Sequence, residues 1–396
     1  MNWGIGIGRI RGIDIRIDWS LAIVFVLITL SLGGGVFPRW HPEWGAALSW
    51  ITAMFAAVLF FVSVLLHELA HALVGRRYGL PVRSITLFVF GGVADLEREP
   101  DAWRAELWMA LVGPVASLAI GVLCMVAVNV FTTVAQVDPD NPIDTLARLG
   151  PLATILAWLG PVNILLGVFN LVPGFPLDGG RVLRAALWGF TGDIYRATRW
   201  ATGLGRAVGW TLIAIGFAMI WGVRVPIFGT GPIGGMWLAL IGWFLSNAAL
   251  MSYQQMVARR RLEGVPVSQV MMSRFVSVGP DMALAQLIEE HLLRTDQRAF
   301  PVVENGRLVG LVCLDDVRKI DPIERDRRIV RDIMTPASSL VTIAPGQDAA
   351  EALQIISRRE VNQLRVVENG CIEGLVRRED ILKWLALRSG NERIPA

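Results

Sequence analysis

Two histidines and a glutamate stand together near the end of an apolar stretch, in the segment LLHELAHALVGRRYG (65–79). In a helix, His67 and His71 lie four residues apart on one face, so both imidazoles can reach one metal ion. Glu68 is next to His67 and can reach a water molecule bound to that ion. This HExxH spacing is typical of zinc hydrolases, in which two histidines bind the metal and the glutamate is the general base.

A hydrolytic zinc site needs a third protein ligand and an open position for water. The segment FNLVPGFPLDGGR (169–181) offers Asp178 as that ligand. Two prolines should end a helix before Asp178, and the glycines after it should loosen the backbone. Irregular backbone at membrane depth needs cover from protein or a cavity. An ordinary helix-ending turn capped by Asp178 is the alternative interpretation.

The composition indicates that these residues are positioned by membrane-spanning helices. Only 18% of the residues are charged, and the mean hydropathy is +0.51. A spanning helix needs about 20 apolar residues, so five of the charge-free runs are long enough and the fifth in order is marginal. These runs are 19–38, 44–66, 107–137, 149–177, 207–223 and 225–258.

Arginine placement predicts the orientation of the six spans. With the N-terminus inside, the inner segments carry 16 arginines and the outer segments carry 3. This asymmetry places both termini in the cytosol. His67 and Asp178 then end at the same membrane face, and His67 lies about 35 Å along its helix from Trp44. In a hydrocarbon core about 30 Å thick, the metal would lie near the cytosolic border, where water can reach it.

The chain after residue 258 is rich in charges and contains an internal repeat. FPVVENGRLVGLVCLDDV (300–317) returns 64 residues later as LRVVENGCIEGLVRREDI (364–381). Each copy is predicted as a strand, a helix, a strand–turn–strand with Asn-Gly at the turn, and a helix, which gives a tandem α/β pair. The predicted domains are a helical polytopic membrane domain, 1–256, and an α/β domain, 257–396, with repeats at about 265–320 and 328–386.

The first domain resembles the site-2 protease family of intramembrane zinc metalloproteases, in its HExxH and in NLVPGFPLDGG (170–180). The combination with the C-terminal repeats is similar to the branch that includes the sporulation processing protease. The resemblance implies one zinc ion per chain and these roles: zinc ligands His67, His71 and Asp178, general base Glu68, and a polar contact to the developing oxyanion from Asn170.

Three other features belong to this expectation. Asn163, seven residues before Asn170, is a weaker alternative for the oxyanion contact. GPVAS (113–117) resembles the family's glycine–proline motif in the third helix, which has a packing role. The segment 82–97, rich in β-branched and aromatic residues, is predicted as a hairpin or re-entrant strand. It would pair with an extended substrate by β-augmentation or, with equal weight, only plug the cavity.

The C-terminal domain resembles a pair of cystathionine-beta-synthase-type (CBS) repeats, which implies an adenine nucleotide in the cleft between them. Asp316 and Asp380 match the ribose-binding aspartate of the family. The usual Ser or Thr three residues earlier is replaced by Cys313 and Arg377. Because a guanidinium forks onto phosphate oxygens, we expect one site at Asp380 and Arg377 and a weak or empty one at Asp316. A pair that only dimerises the chain is the alternative.

These features predict an intramembrane protease that cuts membrane-protein substrates in or near their transmembrane segments, in contact with lipid and under nucleotide control. A metal transporter with a CBS regulatory domain is the alternative function, and a catalytically inactive, nucleotide-sensing scaffold is a second. A transport path needs ionisable groups through the membrane, which the charge-free runs do not supply. The net charge of +3 is small, and the pI near 9 comes from arginines at membrane borders, so the sequence indicates no nucleic-acid partner.

Overall fold

The computed structural model describes residues 4–89, 91–96, 98, 100–134, 147–225, 230–295, 297–359, 361–368 and 371–388. The chain forms two compact units, Met1–Gln254 and Gln255–Ala396. The predicted boundary between residues 256 and 257 stays a prediction.

Among its described residues, the first unit has six helices that are long and apolar enough to cross a membrane, which confirms the predicted polytopic architecture. The marginal fifth run belongs to a helix that begins earlier, since the Asp193 carboxylate accepts hydrogen bonds from the backbone N–H groups of Tyr195 and Arg196. A shorter amphipathic helix, not predicted from the sequence, starts at Asp178. The helices are α1 Leu21–Trp40, α2 Ala46–Arg77, α3 Trp103–Val134, α4 Pro151–Asn170, α5 Asp178–Thr191, α6 Ile194–Ile220 and α7 Pro232–Leu262.

A four-stranded sheet packs against α2. Its strands are β1 Gly4–Ile10, β2 Ile13–Asp18, β3 Val82–Phe88 and β4 Gly91–Leu96, in the order β1-β2-β3-β4. β2 and β3 are parallel, and the other pairs are antiparallel. The hairpin predicted over 82–97 is therefore confirmed, whereas β1 and β2 were not predicted. Ile13, Ile85 and Leu87 bury their side chains with Val64 and Ala72 of α2, which fixes the hairpin beside the HExxH helix.

The second unit contains two α/β repeats, as predicted. Two three-stranded sheets have the orders β5-β6-β7 and β10-β9-β8. At the first Asn-Gly turn, Asn305 and Gly306 have φ angles of 50° and 78°, and the second Asn-Gly lies outside the described residues. The elements are α8 Leu284–Gln286 with a π-helical extension Leu287–Leu292, β5 Ala299–Glu304, β6 Arg307–Cys313, α9 Leu314–Arg318, α10 Val330–Ile333, β7 Thr335–Pro336, β8 Thr342–Ile343, α11 Ala349–Arg359, β9 Gln363–Glu368, β10 Cys371–Arg377 and α12 Arg378–Arg388.

Candidate metal centre

Three potential metal ligands from distant parts of the chain meet at one point. His67 and His71 lie on α2, and Asp178 begins α5. His67 Nε2, His71 Nε2 and Asp178 Oδ2 are each 3.1 Å from the other two. Ligand atoms around a tetrahedral zinc ion, with bonds of 2.0–2.2 Å, are separated by about 3.4 Å. The three atoms therefore have nearly the spacing of a zinc site and need only a small expansion to hold one.

The protonation states of His71 and Asp178 also fit a bound cation. His71 Nδ1 is 2.6 Å from the Met109 carbonyl oxygen, which can only accept, so Nδ1 carries the proton. In the neutral ring, His71 Nε2 then presents its lone pair to the other two ligand atoms. Burial raises the pKa of Asp178, but the two histidines lower the pKa by more, so the carboxyl is ionised at neutral pH. Lone pairs and a negative charge thus converge where a cation would sit.

Gly113 of α3 lies directly against the imidazole of His71 and close to that of His67. A Cβ at this position would lie 2.1 Å from His71 Nε2, 2.4 Å from His71 Cε1 and 2.8 Å from His67 Nε2. Any side chain here would therefore clash with the His71 ring and move it out of the cluster. The three ligand atoms fit a zinc ion by their spacing, and the bare backbone at Gly113 allows the His71 ring to take its place among them.

One face of α3 supports the site. Met109, Gly113 and Ser117 follow each other at intervals of four residues and so share that face. The Ser117 hydroxyl is fully buried and lies 2.9 Å from His67 Nδ1. The GPVAS motif was expected to serve only packing. In the structure, two residues of this motif also contact the cluster. The backbone of Gly113 lies against His71, and the Ser117 hydroxyl lies beside His67.

Replacement of Ser117 by alanine should weaken zinc binding about 10- to 100-fold, because partners of metal-bound histidines orient the ring and tune its basicity. Competition with a chromophoric chelator would measure the zinc affinity of the purified chain. Ser49→Ala is the matched control, since the Ser49 hydroxyl on α2 is buried but has no hydrogen-bond partner within the described residues. Equal zinc affinities for the two variants would show that Ser117 does not position His67.

Glu68 lies between the cluster and the hairpin. A Cβ at Gly92 of β4 would be 2.3 Å from Glu68 Cγ and 2.8 Å from Cδ, so β4 passes directly over this side chain. β4 is the last strand of its sheet, and its outer edge has no strand partner among the described residues. The sequence did not predict this contact, although the Gly91-Gly92 pair marked a close approach of backbone. An unpaired strand edge therefore lies beside the candidate base.

The two asparagines proposed for the oxyanion contact differ in environment. Asn170 is the last residue of α4 and is partly exposed. Asn163 is fully buried, and its side-chain nitrogen donates to the Leu159 carbonyl oxygen at 2.9 Å. The role of Asn170 remains a proposal.

The start of α5 is fixed by packing and by an ion pair. The sequence predicted that Gly179 and Gly180 loosen the backbone, and this is wrong. Both residues are buried in the first turn of α5. A Cβ on Gly179 would lie 2.4 Å from the Leu171 oxygen. One turn further along, Arg184 Nε donates to Glu106 Oε1 of α3 at 2.6 Å, and Glu106 is completely buried. The Gly179 contact packs the start of α5 against the end of α4, and the ion pair joins α5 to α3, whose Met109 and Ser117 contact the two histidines.

In the second unit, the aspartates expected to bind ribose cap their own helices. Asp316 Oδ2 accepts from the Cys313 backbone N–H at 3.0 Å, and Asp380 Oδ2 accepts from the Arg377 backbone N–H at 3.1 Å. The Arg377 guanidinium also forms a bidentate pair with Asp380, at 2.9 and 2.8 Å. Arg377, the predicted phosphate contact, is thus already paired with the predicted ribose contact.

Comparison with known proteins agrees with both halves of this description. The model of peptidase family M50 matches residues 55–138 and 131–212, and the CBS domain model matches 267–322 and 330–387. The chain is 33% identical over 390 residues to "Putative zinc metalloprotease Rip3" of Mycobacterium tuberculosis, covering 97% of this chain and 93% of that protein. It is 30% identical over 389 residues to "Putative zinc metalloprotease sll0528" of Synechocystis, covering 97% and 96%.

Among solved structures, the site-2 protease from Methanocaldococcus jannaschii is 25% identical, with a TM-score of 0.41, and the match covers 63% of this chain and 95% of that one. Identity to the M. tuberculosis relative over almost the whole of both chains shows the family and favours a metallopeptidase over a transporter or an inactive scaffold. The chain therefore belongs to peptidase family M50, the site-2 protease family of zinc metallopeptidases, and carries a tandem pair of CBS domains.

Proposed function

We propose that this multi-pass membrane protein hydrolyses peptide bonds in or near transmembrane segments of membrane-protein substrates, with His67, His71 and Asp178 as zinc ligands and Glu68 as general base. The observation that carries the proposal is the cluster of three ligand atoms 3.1 Å apart, with Glu68 one residue from His67. Bound zinc would supply a water of lowered pKa and an electrophile for the peptide carbonyl.

The protein's own side chains would perform the remaining tasks. The Glu68 carboxylate would take a proton from the attacking water and return it to the leaving amine. The Asn170 amide would donate a hydrogen bond to the developing oxyanion, as the family resemblance implies. The Ser117 hydroxyl and the Met109 carbonyl would keep the imidazole rings of His67 and His71 in their orientations during the reaction.

The unpaired edge of β4 supports a role in substrate binding. A helical substrate shields its peptide carbonyls and must unwind before it can be cut. An extended segment could form main-chain hydrogen bonds with β4, which would place the peptide over Glu68. In this proposal the hairpin does more than plug the cavity. Lipid surrounds the membrane domain, 1–256, and both termini lie in the cytosol together with residues 257–396.

Cleavage should occur in the cytosolic half of a substrate helix or just outside it. The reason is the position of His67, near the cytosolic end of the charge-free run of α2. Mass spectrometry of membrane peptides from cells with the wild-type chain or Glu68→Gln would map the new termini. Gly or Pro introduced beside the cut bond should speed cleavage, because unwinding then costs less. Termini in the outer half of substrate helices would contradict the proposed topology.

We also propose that the CBS pair binds an adenine nucleotide, with Asp316 and Asp380 as the ribose-binding residues of the clefts, and that the pair can join two chains. The carboxylates of Asp316 and Asp380 lie at matching helix starts, 64 residues apart. Calorimetry of the full chain in detergent with ATP, ADP and AMP should detect binding. Alanine in place of the aspartate that lines the occupied cleft, Asp316→Ala or Asp380→Ala, should weaken binding at least tenfold. Absence of heat with all three nucleotides would refute nucleotide control.

A further inference from the structure

The second repeat contains two buried polar side chains, each with a donor nitrogen that has no acceptor among the described residues. Arg365 is 5% exposed and Gln363 is 9% exposed. The two nitrogens are Arg365 Nε and Gln363 Nε2. Arg365 Nη1 reaches the Val341 carbonyl oxygen only at 3.4 Å, beyond the usual range for this bond. Because buried charges are normally paired, this pair of side chains is suited to an anionic ligand.

Both side chains point away from the core of their own repeat. Leu364 and Val366 alternate with them along β9 and belong to the hydrophobic core of the second repeat. The opposite face of β9, with Gln363 and Arg365, therefore faces the first repeat. Burial and Asp316 raise the pKa of Cys313 to about 11, and Arg365 acts in the opposite direction, so the guanidinium lies within electrostatic reach of Cys313.

The internal repeat shows that this arrangement occurs on one side only. The shift of 64 residues relates Cys313 to Arg377, and Pro301 to Arg365. Both arginines therefore belong to the second copy, Arg365 on β9 and Arg377 on β10. Arg377 is neutralised by its bidentate pair with Asp380. Arg365 has no carboxylate partner in the part of the chain that the structure describes.

Asp316 does not neutralise Arg365. Its Oδ2 accepts from the Cys313 backbone N–H at 3.0 Å, and its Oδ1 lies 3.5 Å from Lys319 Nζ. No hydrogen bond or ion pair joins Asp316 to Arg365 within the described residues. The buried positive charge therefore persists on the Cys313 side of the cleft and is absent from the Arg377 side.

We propose that Arg365 and Gln363 form a phosphate-binding site between the two CBS repeats. A guanidinium donates in parallel to two phosphate oxygens, and the Gln363 amide adds a further donor. The phosphate is either a free ion or part of the adenine nucleotide proposed above, and only the second case rests on that proposal. The site differs from the residues expected from the sequence, since Arg377 is occupied by Asp380.

Calorimetry of the full chain in detergent tests the site with inorganic phosphate, AMP, ATP and acetate. Phosphate-bearing ligands should bind, Arg365→Gln should weaken binding at least tenfold, and Arg377→Gln should change it less than twofold. AMP binding more tightly than phosphate identifies the nucleotide as the source, and equal affinities identify the free ion. Binding of acetate as strong as that of phosphate, or no effect of Arg365→Gln, overturns the inference. Nucleotide binding that is lost in Asp380→Ala and unchanged in Arg365→Gln also overturns the inference. The proposal of nucleotide control would remain in that case.

Thermal unfolding supplies a second measurement. Without phosphate, Arg365→Met should unfold at the same or a higher temperature than the wild type, because it removes an unpaired buried charge. Phosphate should raise the unfolding temperature of the wild type and leave that of the variant unchanged. A variant that unfolds at a lower temperature, with no effect of phosphate on the wild type, would show that Arg365 has only a structural role.

Discussion

Gly113→Ala is expected to reduce bound zinc from about one ion per chain to nearly none. The added methyl group would lie 2.1 Å from His71 Nε2 and 2.4 Å from His71 Cε1, so the imidazole could not keep the position in which it faces the other two ligands. His71 cannot easily move aside, since its ring is buried and bonded to the Met109 carbonyl oxygen. Metal analysis of the purified chain, by mass spectrometry of the eluted ions, measures this loss.

Gly203→Ala is the matched control for this experiment. Gly203 also lies in a membrane-domain helix, but nothing lies within 4 Å of the Cβ that alanine would add. This variant should keep its zinc and gain stability slightly, by up to about 1 kcal/mol, because alanine is the better helix former. Full zinc content in Gly113→Ala would mean that the close packing of Gly113 on the His71 ring does not position this ligand.

Glu68→Gln should abolish proteolysis and leave zinc in place. Glutamine has nearly the same shape but cannot accept the proton of the attacking water, so the rate should fall at least about 100-fold. The zinc ligands are untouched by this change, and the side chain still fits under Gly92. Cleavage of a membrane-helix reporter in vesicles, with zinc measured on the same preparation, separates the two effects.

Glu43→Gln is the control for the loss of a carboxylate. Glu43 is exposed and is the first charged residue before the run that leads to His67, so its loss should change neither zinc nor rate. Proteolysis by Glu68→Gln at a rate near that of the wild type would refute the role of Glu68 as base. Loss of zinc from Glu68→Gln would instead assign the carboxylate to metal binding.

Much of the membrane domain could be predicted because its signals are local. A run without charges predicts a spanning helix, and HExxH places two imidazoles on one helical face. Asp178 required one further step, which was the topology that brings the ends of two spans to the same side. The structure places His67, His71 and Asp178 together as this argument requires. Their catalytic roles stay predictions.

Other parts depend on contacts that spacing does not encode. The β1–β2 hairpin was missed because glycines alternate with isoleucines in β1, although Ile13 and Ile15 in β2 show the alternation of a half-buried strand. The amphipathic α5 was missed because its arginines excluded it from the search for charge-free runs. The closeness of Gly113 to His71 follows from how α2 packs on α3, and no single segment reveals it.

The same limit applies to the CBS pair. The sequence predicted Arg377 as the free cation because it stands in place of a hydroxyl residue. Pairing with Asp380 depends on side-chain geometry within one turn of α12, which makes Arg377 unavailable in the structure. Arg365 could have been noticed from its place in the repeat, where the first copy has Pro301. That Arg365 Nε has no acceptor among the described residues is visible only in three dimensions.

X-ray absorption at the zinc edge tests the central claim most directly, because it reports the ligands themselves. For the purified wild-type chain, the account predicts nitrogen and oxygen neighbours at about 2.0–2.2 Å with the scattering of two imidazole rings. His71→Ala should leave at most one imidazole on any zinc it retains, and Asp178→Ala should lose most of its zinc. An unchanged two-imidazole spectrum for His71→Ala, or sulfur scattering at about 2.3 Å in the wild type, would contradict the assignment of His67, His71 and Asp178 as the zinc ligands.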